Sequence, residues 1–174
     1  MKLFLCGLLM FASLLYGSAA AKDKPTNELT LMIVEVSPSG SITVRISNLS
    51  KRTIRLWKES NGCGAAHRRV LLIREGRLQT FYQSPDQVFT RSIPTFSEIA
   101  GGAHIEHKLN LNETEWHGSE GKKISFKSGD TIIVIYDVPR AYGGDFGWAG
   151  THGTVDPSKM DVWYGVTSAL MTIQ

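Results

Sequence analysis

The chain has 174 residues, 42% of them hydrophobic and 20% charged, with a formal net charge of +3. This balance excludes disorder throughout the chain, because enough apolar surface is present to form a core. Basic residues are interleaved with acidic ones rather than gathered in one stripe, which argues against nucleic acid as a partner. The length fits about one domain.

Residues 1–21 have the pattern of a cleaved export signal. A lysine precedes an apolar run over residues 3–16, and small residues follow it. A signal peptidase would cut after Ala20 or Ala21, whereas an uncleaved anchor would need about 20 apolar residues. We therefore expect a secreted or periplasmic protein with one domain over residues 22–174 and no membrane span after cleavage.

The chain after the signal predicts short strands separated by turns. Residues 42–47 alternate apolar and polar side chains, which is the period of a half-buried strand. They follow an apolar run over 29–36 across a turn at 37–40, so the first two strands should form a hairpin. A third short strand is expected over 53–58.

A second hairpin is expected in the next part of the chain. Residues 70–74 and 77–81 are strand-like and flank the pair Glu75-Gly76, which favours a tight two-residue turn. A longer connection follows, from Gln83 to Ile99.

One cysteine, Cys63, remains after the signal is removed, since Cys6 lies in the signal. It sits between Gly62 and Gly64, and His67 follows four residues later, so a catalytic Cys/His pair is conceivable. A lone thiol on such a turn more commonly stays free or forms an interchain bridge. We expect one of these two states, the second giving a Cys63-linked dimer.

Metal ligation was considered for the sequence His104-Ile105-Glu106-His107. Alternation in this segment predicts a strand, which places His104 and Glu106 on one face and His107 on the other. The two histidines then cannot chelate one ion, and no cofactor is expected.

Two short segments have the spacing of a helical capping box, residues 95–98 and 112–115. Glycines end each of them quickly, so we expect single helical turns between strands. Asn48 and Asn112 match the acceptor pattern for N-glycosylation, which matters only in a eukaryotic host.

The last third of the chain should contain two strands joined by a long loop. Residues 124–127 lead into 131–138, whose apolar run suits a strand covered on both faces. Residues 162–173 should form the last strand.

Glycines crowd the loop between these strands and separate several aromatic residues. The candidate ligand-binding residues of the loop are Tyr142, Asp145, Phe146, Trp148 and His152. The aromatic rings either fold back to plug the end of the core or face outward as anchors for a protein or carbohydrate partner.

The strand pattern predicts an all-β fold, an antiparallel sandwich of about 7–9 strands with one or two short helical turns. The ending, in which Trp163-Tyr164-Gly165 precedes an alternating strand, resembles the last strand of secreted immunoglobulin-like sandwiches. The run over 131–138 fits the strand before it. This resemblance concerns architecture and implies no particular activity.

Searches for catalytic patterns give no positive result. No Gly-x-Ser-x-Gly elbow occurs, and the glycine-rich loop lacks the lysine and helix of a phosphate-binding loop. The leading hypothesis is therefore a secreted binding domain that is not an enzyme. One alternative is a proteinase inhibitor presenting the segment from Gln83 to Ile99. Another is a hydrolase with a composite site that the sequence does not reveal. A composite metal site of His117, Asp145 and His152 is a separate alternative, which nothing in their spacing supports.

Overall fold

The computed structural model describes residues 28–58, 67–83, 96–114, 116–118, 122–138 and 162–174. These residues form ten strands and no helix, and none of them belongs to a helix able to cross a membrane. The strands are β1 Leu29–Ser37, β2 Ser41–Asn48, β3 Ile54–Trp57, β4 Arg68–Arg74, β5 Arg77–Gln83, β6 Phe96–Ile99, β7 His104–Asn110, β8 Trp116–His117, β9 Thr131–Val138 and β10 Gly165–Thr172. The predicted signal lies outside the described residues.

The strands form three sheets, and every strand pair in them is antiparallel. A three-stranded sheet has the order β1-β2-β7, and a five-stranded sheet has the order β10-β9-β4-β5-β8. A two-stranded ribbon joins β3 and β6. The predicted all-β, antiparallel class is confirmed.

Both predicted hairpins are present. β1 pairs with β2 across a turn in which the amide of Gly40 donates to the carbonyl of Ser37 at 3.0 Å. β4 pairs with β5 across Glu75 and Gly76, whose φ angles are 51° and 74°. Positive φ at both central residues is what a type I′ turn requires, and its twist matches that of the flanking strands.

The predicted helical turns are wrong. Phe96–Ile99 is strand β6, and the ring of Phe96 packs 4.9 Å from that of Trp57 in β3. Pairing with β3 satisfies backbone groups that a capping box would serve in a helix, so tertiary contacts override the local signal. In the second segment Trp116 donates to Glu113 in a tight turn.

The inner side chains of all three sheets belong to one hydrophobic core. In β9 burial alternates, with Ile132 and Val134 fully buried and Ile133 and Ile135 half-buried. The expectation that this strand is covered on both faces is therefore wrong, because only one of its faces packs into the core.

The sequence Trp163-Tyr164-Gly165 determines the path of the chain just before β10. The backbone of Trp163 donates to the carbonyl of Arg55 at 2.9 Å, and its ring stacks on Tyr136 at 5.9 Å. Gly165 has φ of +143°, and a Cβ there would lie 2.9 Å from the Trp163 ring. Glycine at this position thus lets the tryptophan fold back over the chain before β10 begins.

Candidate interaction surface

Several sequence-predicted site residues lie outside the described residues. They are Cys63 and the loop residues Tyr142, Asp145, Phe146, Trp148 and His152. Their roles stay predictions, as does the part of the inhibitor segment over 84–95.

Asn48 is fully buried, and its side chain links the segment between β2 and β3 to the segment after β6. Its side-chain Nδ2 donates to the carbonyls of Arg52, Ile99 and Ala100 at 2.7–3.2 Å. Its Oδ1 accepts from the amide and hydroxyl of Ser50. A glycan on Nδ2 is incompatible with these bonds in the folded chain, so Asn48 has a structural role here.

Asn112 is exposed, but its side chain also joins two segments. Nδ2 donates to the carbonyls of Ser39 and Ile124 at 2.7 and 2.8 Å, and Oδ1 accepts from the amide of Ile124 at 2.6 Å. These bonds fasten the turn after β7 to the first hairpin. A glycan on Nδ2 would have to displace both carbonyls.

The histidines of β7 lie as the alternation predicts. His104 and Glu106 are exposed, whereas His107 is half-buried on the inner side with Leu109. Within the described ranges no three His, Cys, Asp or Glu residues are grouped as metal ligands. His117, a candidate for a composite site, stacks instead on Tyr82 with ring centroids 5.6 Å apart.

The outward side of the three-stranded sheet is mostly polar. On β2 the outward residues include Thr43 and Arg45, and on β7 they include Glu106 and Lys108. Arg45 and Glu106 face each other across the strands and form an ion pair at 2.7 Å. This is the alternation expected of an antiparallel sheet with one face in water.

The outward side of the five-stranded sheet is different, because apolar side chains cover it. We call this surface the outer face; its apolar members are Leu71 and Ile73 of β4, Leu78 and Tyr82 of β5, Ile133 and Ile135 of β9, and Val166 and Leu170 of β10. Val166, Leu170 and Leu78 are 67%, 64% and 63% exposed. Single exposed apolar residues are ordinary, but a contiguous patch of them marks a contact surface.

Strand register makes these residues neighbours. Leu170 lies opposite Ile133, and Ile133 lies opposite Leu71 on its other side, so an apolar row crosses three adjacent strands. The next row places Ile73 opposite Leu78. Side chains directly opposite on one face of a sheet are in contact distance, so the rows form a continuous surface.

Polar groups also lie among these apolar side chains: Ser168 faces Ile135, Thr80 faces Leu71, and Arg69 lies between Ile135 and Tyr82. The hydroxyls of Thr131 and Thr172 are 3.0 Å apart where β9 and β10 meet the turn side of the sheet. Arg69 and Asp137 are the charged residues at the described outward positions of β4, β5, β9 and β10. A surface that mixes apolar side chains with scattered polar ones is typical of protein interfaces.

A second feature lies under this surface, at one end of the sheet. His67 and Arg68 are buried beside Tyr136, with the Arg68 guanidinium carbon 6.0 Å from the centre of the Tyr136 ring. Burial lowers the pKa of Arg68 to about 10 and raises that of Tyr136 to about 12. Arg68 therefore remains charged at neutral pH although it is buried.

The imidazole of His67 is held neutral. Its Nδ1 donates to the carbonyl of Asp137 at 2.7 Å, since a carbonyl can only accept. Burial lowers its pKa from 6.5 to about 4, against a smaller raising effect of that hydrogen bond.

This depressed pKa predicts acid sensitivity. Between pH 6.5 and 4 the unfolded chain binds a proton at His67 and the folded chain does not, so the free energy of unfolding falls as the pH falls. The loss from pH 7 to pH 4 should be about 2–3 kcal/mol. Urea unfolding of the wild type and of His67→Gln at both pH values measures it, and the variant should lose less.

His107 also has its pKa lowered by burial and contributes in the same direction. A glutamine at the exposed His104 serves as the matched control, since it makes the same substitution at a position outside the core. Equal pH dependence in the wild type and in His67→Gln would show that His67 is not held neutral by burial.

No protein-family model, characterised protein or solved structure matches this chain.

Sequence reasoning missed the outer face, although a signal for it exists. Within residues 131–138, apolar side chains occur at both odd-numbered and even-numbered positions, and residues 70–73 are a continuous apolar run. Such runs predict coverage on both sides. In the part of the chain that the structure describes, the core packs on one side and the other side is half-buried or exposed, and the register of the sheet shows which residues share that side.

Proposed function

We propose that the protein is a secreted or periplasmic interaction domain, without catalytic activity, that binds a protein partner through the outer face of its five-stranded sheet. The observation that carries the proposal is the contrast between the two sheets. β2 and β7 present polar side chains outward and only β1 exposes apolar ones there, Met32 and Val34, whereas apolar side chains predominate at the described outward positions of β4, β5, β9 and β10. Exposed apolar area of this kind gains free energy when a partner covers it.

The chemistry of the face favours a protein over a carbohydrate. Sugar recognition depends on hydrogen bonds to many hydroxyls, whereas apolar side chains outnumber polar ones at the described outward positions of this face. Tyr82 is the aromatic residue among the outward side chains of the described strands. Aliphatic side chains such as Val166 and Leu170 are suited to packing against another apolar surface.

We also propose that the sheets pack as an immunoglobulin-like sandwich. The support is strand order, since one sheet joins the first two strands to β7 and the other joins the last two strands to β4 and β5. Such sandwiches combine early and late strands in this way. The export signal predicted over residues 1–21 supports the location outside the cytoplasm.

Partner capture with matched variants tests the proposal. Leu170→Glu places a charge on the outer face, and Leu49→Glu places one at a loop position of nearly equal exposure, 62% against 64%. With immobilised protein as bait in extracts of the source organism, wild type and Leu49→Glu should retain the same protein. Leu170→Glu should lose it, because a buried unpaired charge opposes association.

Both replaced leucines are mostly exposed, so neither variant should unfold, and thermal melting verifies this. Equal retention by Leu170→Glu and the wild type would contradict the proposal.

A further inference from the structure

We infer that the partner on the outer face is a second copy of this chain, packed face to face about a twofold axis. This inference rests on the proposed function, namely that the outer face is a contact surface, and it identifies the partner. Shape, area and charge of the face support it.

Shape favours another sheet as the occupant. The outer face belongs to four adjacent full-length strands, β10, β9, β4 and β5, and is therefore a twisted surface rather than a pocket or groove. Sheets pack on such surfaces at about 10 Å, with strand directions within about 30° of each other because their twists match. A second copy presents the same twist by identity.

The edge of the sheet is not the docking element on the β10 side. Residues of β1 lie close to β10, so the chain itself restricts the approach to β10 as an edge. The face remains as the accessible part of β10, with Val166 and Leu170 pointing away from the core.

The area is of the order that a dimer needs. Four strands of up to about 8 residues, spaced about 4.8 Å apart with a rise of about 3.3 Å, project about 500 Å². Side-chain relief makes the accessible area larger than this projection. A standard interface takes about 800 Å² from each partner, so the face is of the same order of size.

The charge of the outer face is compatible with the association of two copies. The described part of the face carries one cation, Arg69, and one anion, Asp137, and the whole chain has a net charge of only +3. Two copies of a neutral face do not repel each other, and low net charge favours self-association.

Twofold symmetry requires a patch that is complementary to itself. The row of Leu170, Ile133 and Leu71 crosses three adjacent strands and ends at Thr80 on β5. Its aliphatic side chains can pack against like side chains, and the Thr80 hydroxyl lies at the end of the row. An axis near this row buries the row of one copy against that of the other.

Sedimentation equilibrium of the mature chain in the micromolar range tests the inference. All samples carry Cys63→Ser, so that an interchain disulfide cannot produce a dimer. The parent and its Leu49→Glu variant should be dimers. Leu170→Glu and, independently, Val166→Glu should weaken dimerisation by at least roughly 30-fold.

The outcomes separate this inference from the proposed function. A parent protein that stays monomeric throughout the range overturns the second copy as partner, while the capture experiment still decides whether the outer face binds another protein. A dimer that Leu170→Glu and Val166→Glu leave intact overturns the inference, because the copies then meet elsewhere. Circular dichroism of each variant confirms that it is folded.

Discussion

Replacing Ile132 by alanine should lower the free energy of unfolding by about 2–5 kcal/mol, the range for truncating a fully buried aliphatic side chain. Ile132 is 0% exposed and lies in β9, the strand between β10 and β4. Its neighbours in the core cannot collapse freely into the space that the side chain leaves, so lost contacts add to the lost burial.

Ile133 is the matched control for this prediction. It is the same residue type in the same strand, but it points to the outer face and is half-buried. With the chain dilute enough to be monomeric, Ile133→Ala should cost less than half as much as Ile132→Ala in urea unfolding. Equal losses would mean that both faces of β9 are packed within the monomer, as the sequence alone predicts.

Asn48→Ala should also be strongly destabilising, by about 2–4 kcal/mol. The substitution removes a buried amide that serves three carbonyls and one backbone amide at the break between β2 and β3. Those groups lie partly or fully away from water, so they lose their partner without replacement. The chain segments at this break are also closely packed, since a Cβ at Gly101 would lie 2.6 Å from the carbonyl of Lys51.

Asn112 provides the comparison, since its side chain makes a similar set of bonds at an exposed position. Water can replace it there, so Asn112→Ala should cost only about 1 kcal/mol. Thermal or urea unfolding of both variants gives the difference. A loss at Asn48 no larger than at Asn112 would show that burial does not set the value of these bonds.

Local sequence predicts the hairpins well, for reasons that lie within a few residues. The Glu75-Gly76 pair tolerates the positive φ angles that its turn demands, and the alternation in β2 gives its inner and outer sides directly. The inward position of His107 also follows from the alternation of side chains between the two faces of a strand. These features need no knowledge of distant residues.

Other features depend on contacts between distant segments. Phe96–Ile99 is a strand because it pairs with Ile54–Trp57, some forty residues earlier, and no local pattern states this. The outer face likewise requires the register that aligns Leu71, Ile133 and Leu170 from three strands. The bonds of Asn48 join loops that a glycosylation pattern does not describe.

Solvent protection of methyl groups tests the central claim most directly. A soluble paramagnetic agent relaxes exposed methyl groups, and Val166, Leu170 and Leu49 have nearly equal exposure, 67%, 64% and 62%. When a partner is bound to the outer face, the methyl groups of Val166 and Leu170 should become protected from the agent while those of Leu49 stay accessible. Protection of Leu49 with continued exposure of Val166 and Leu170 would place the contact surface elsewhere and contradict the role of the outer face.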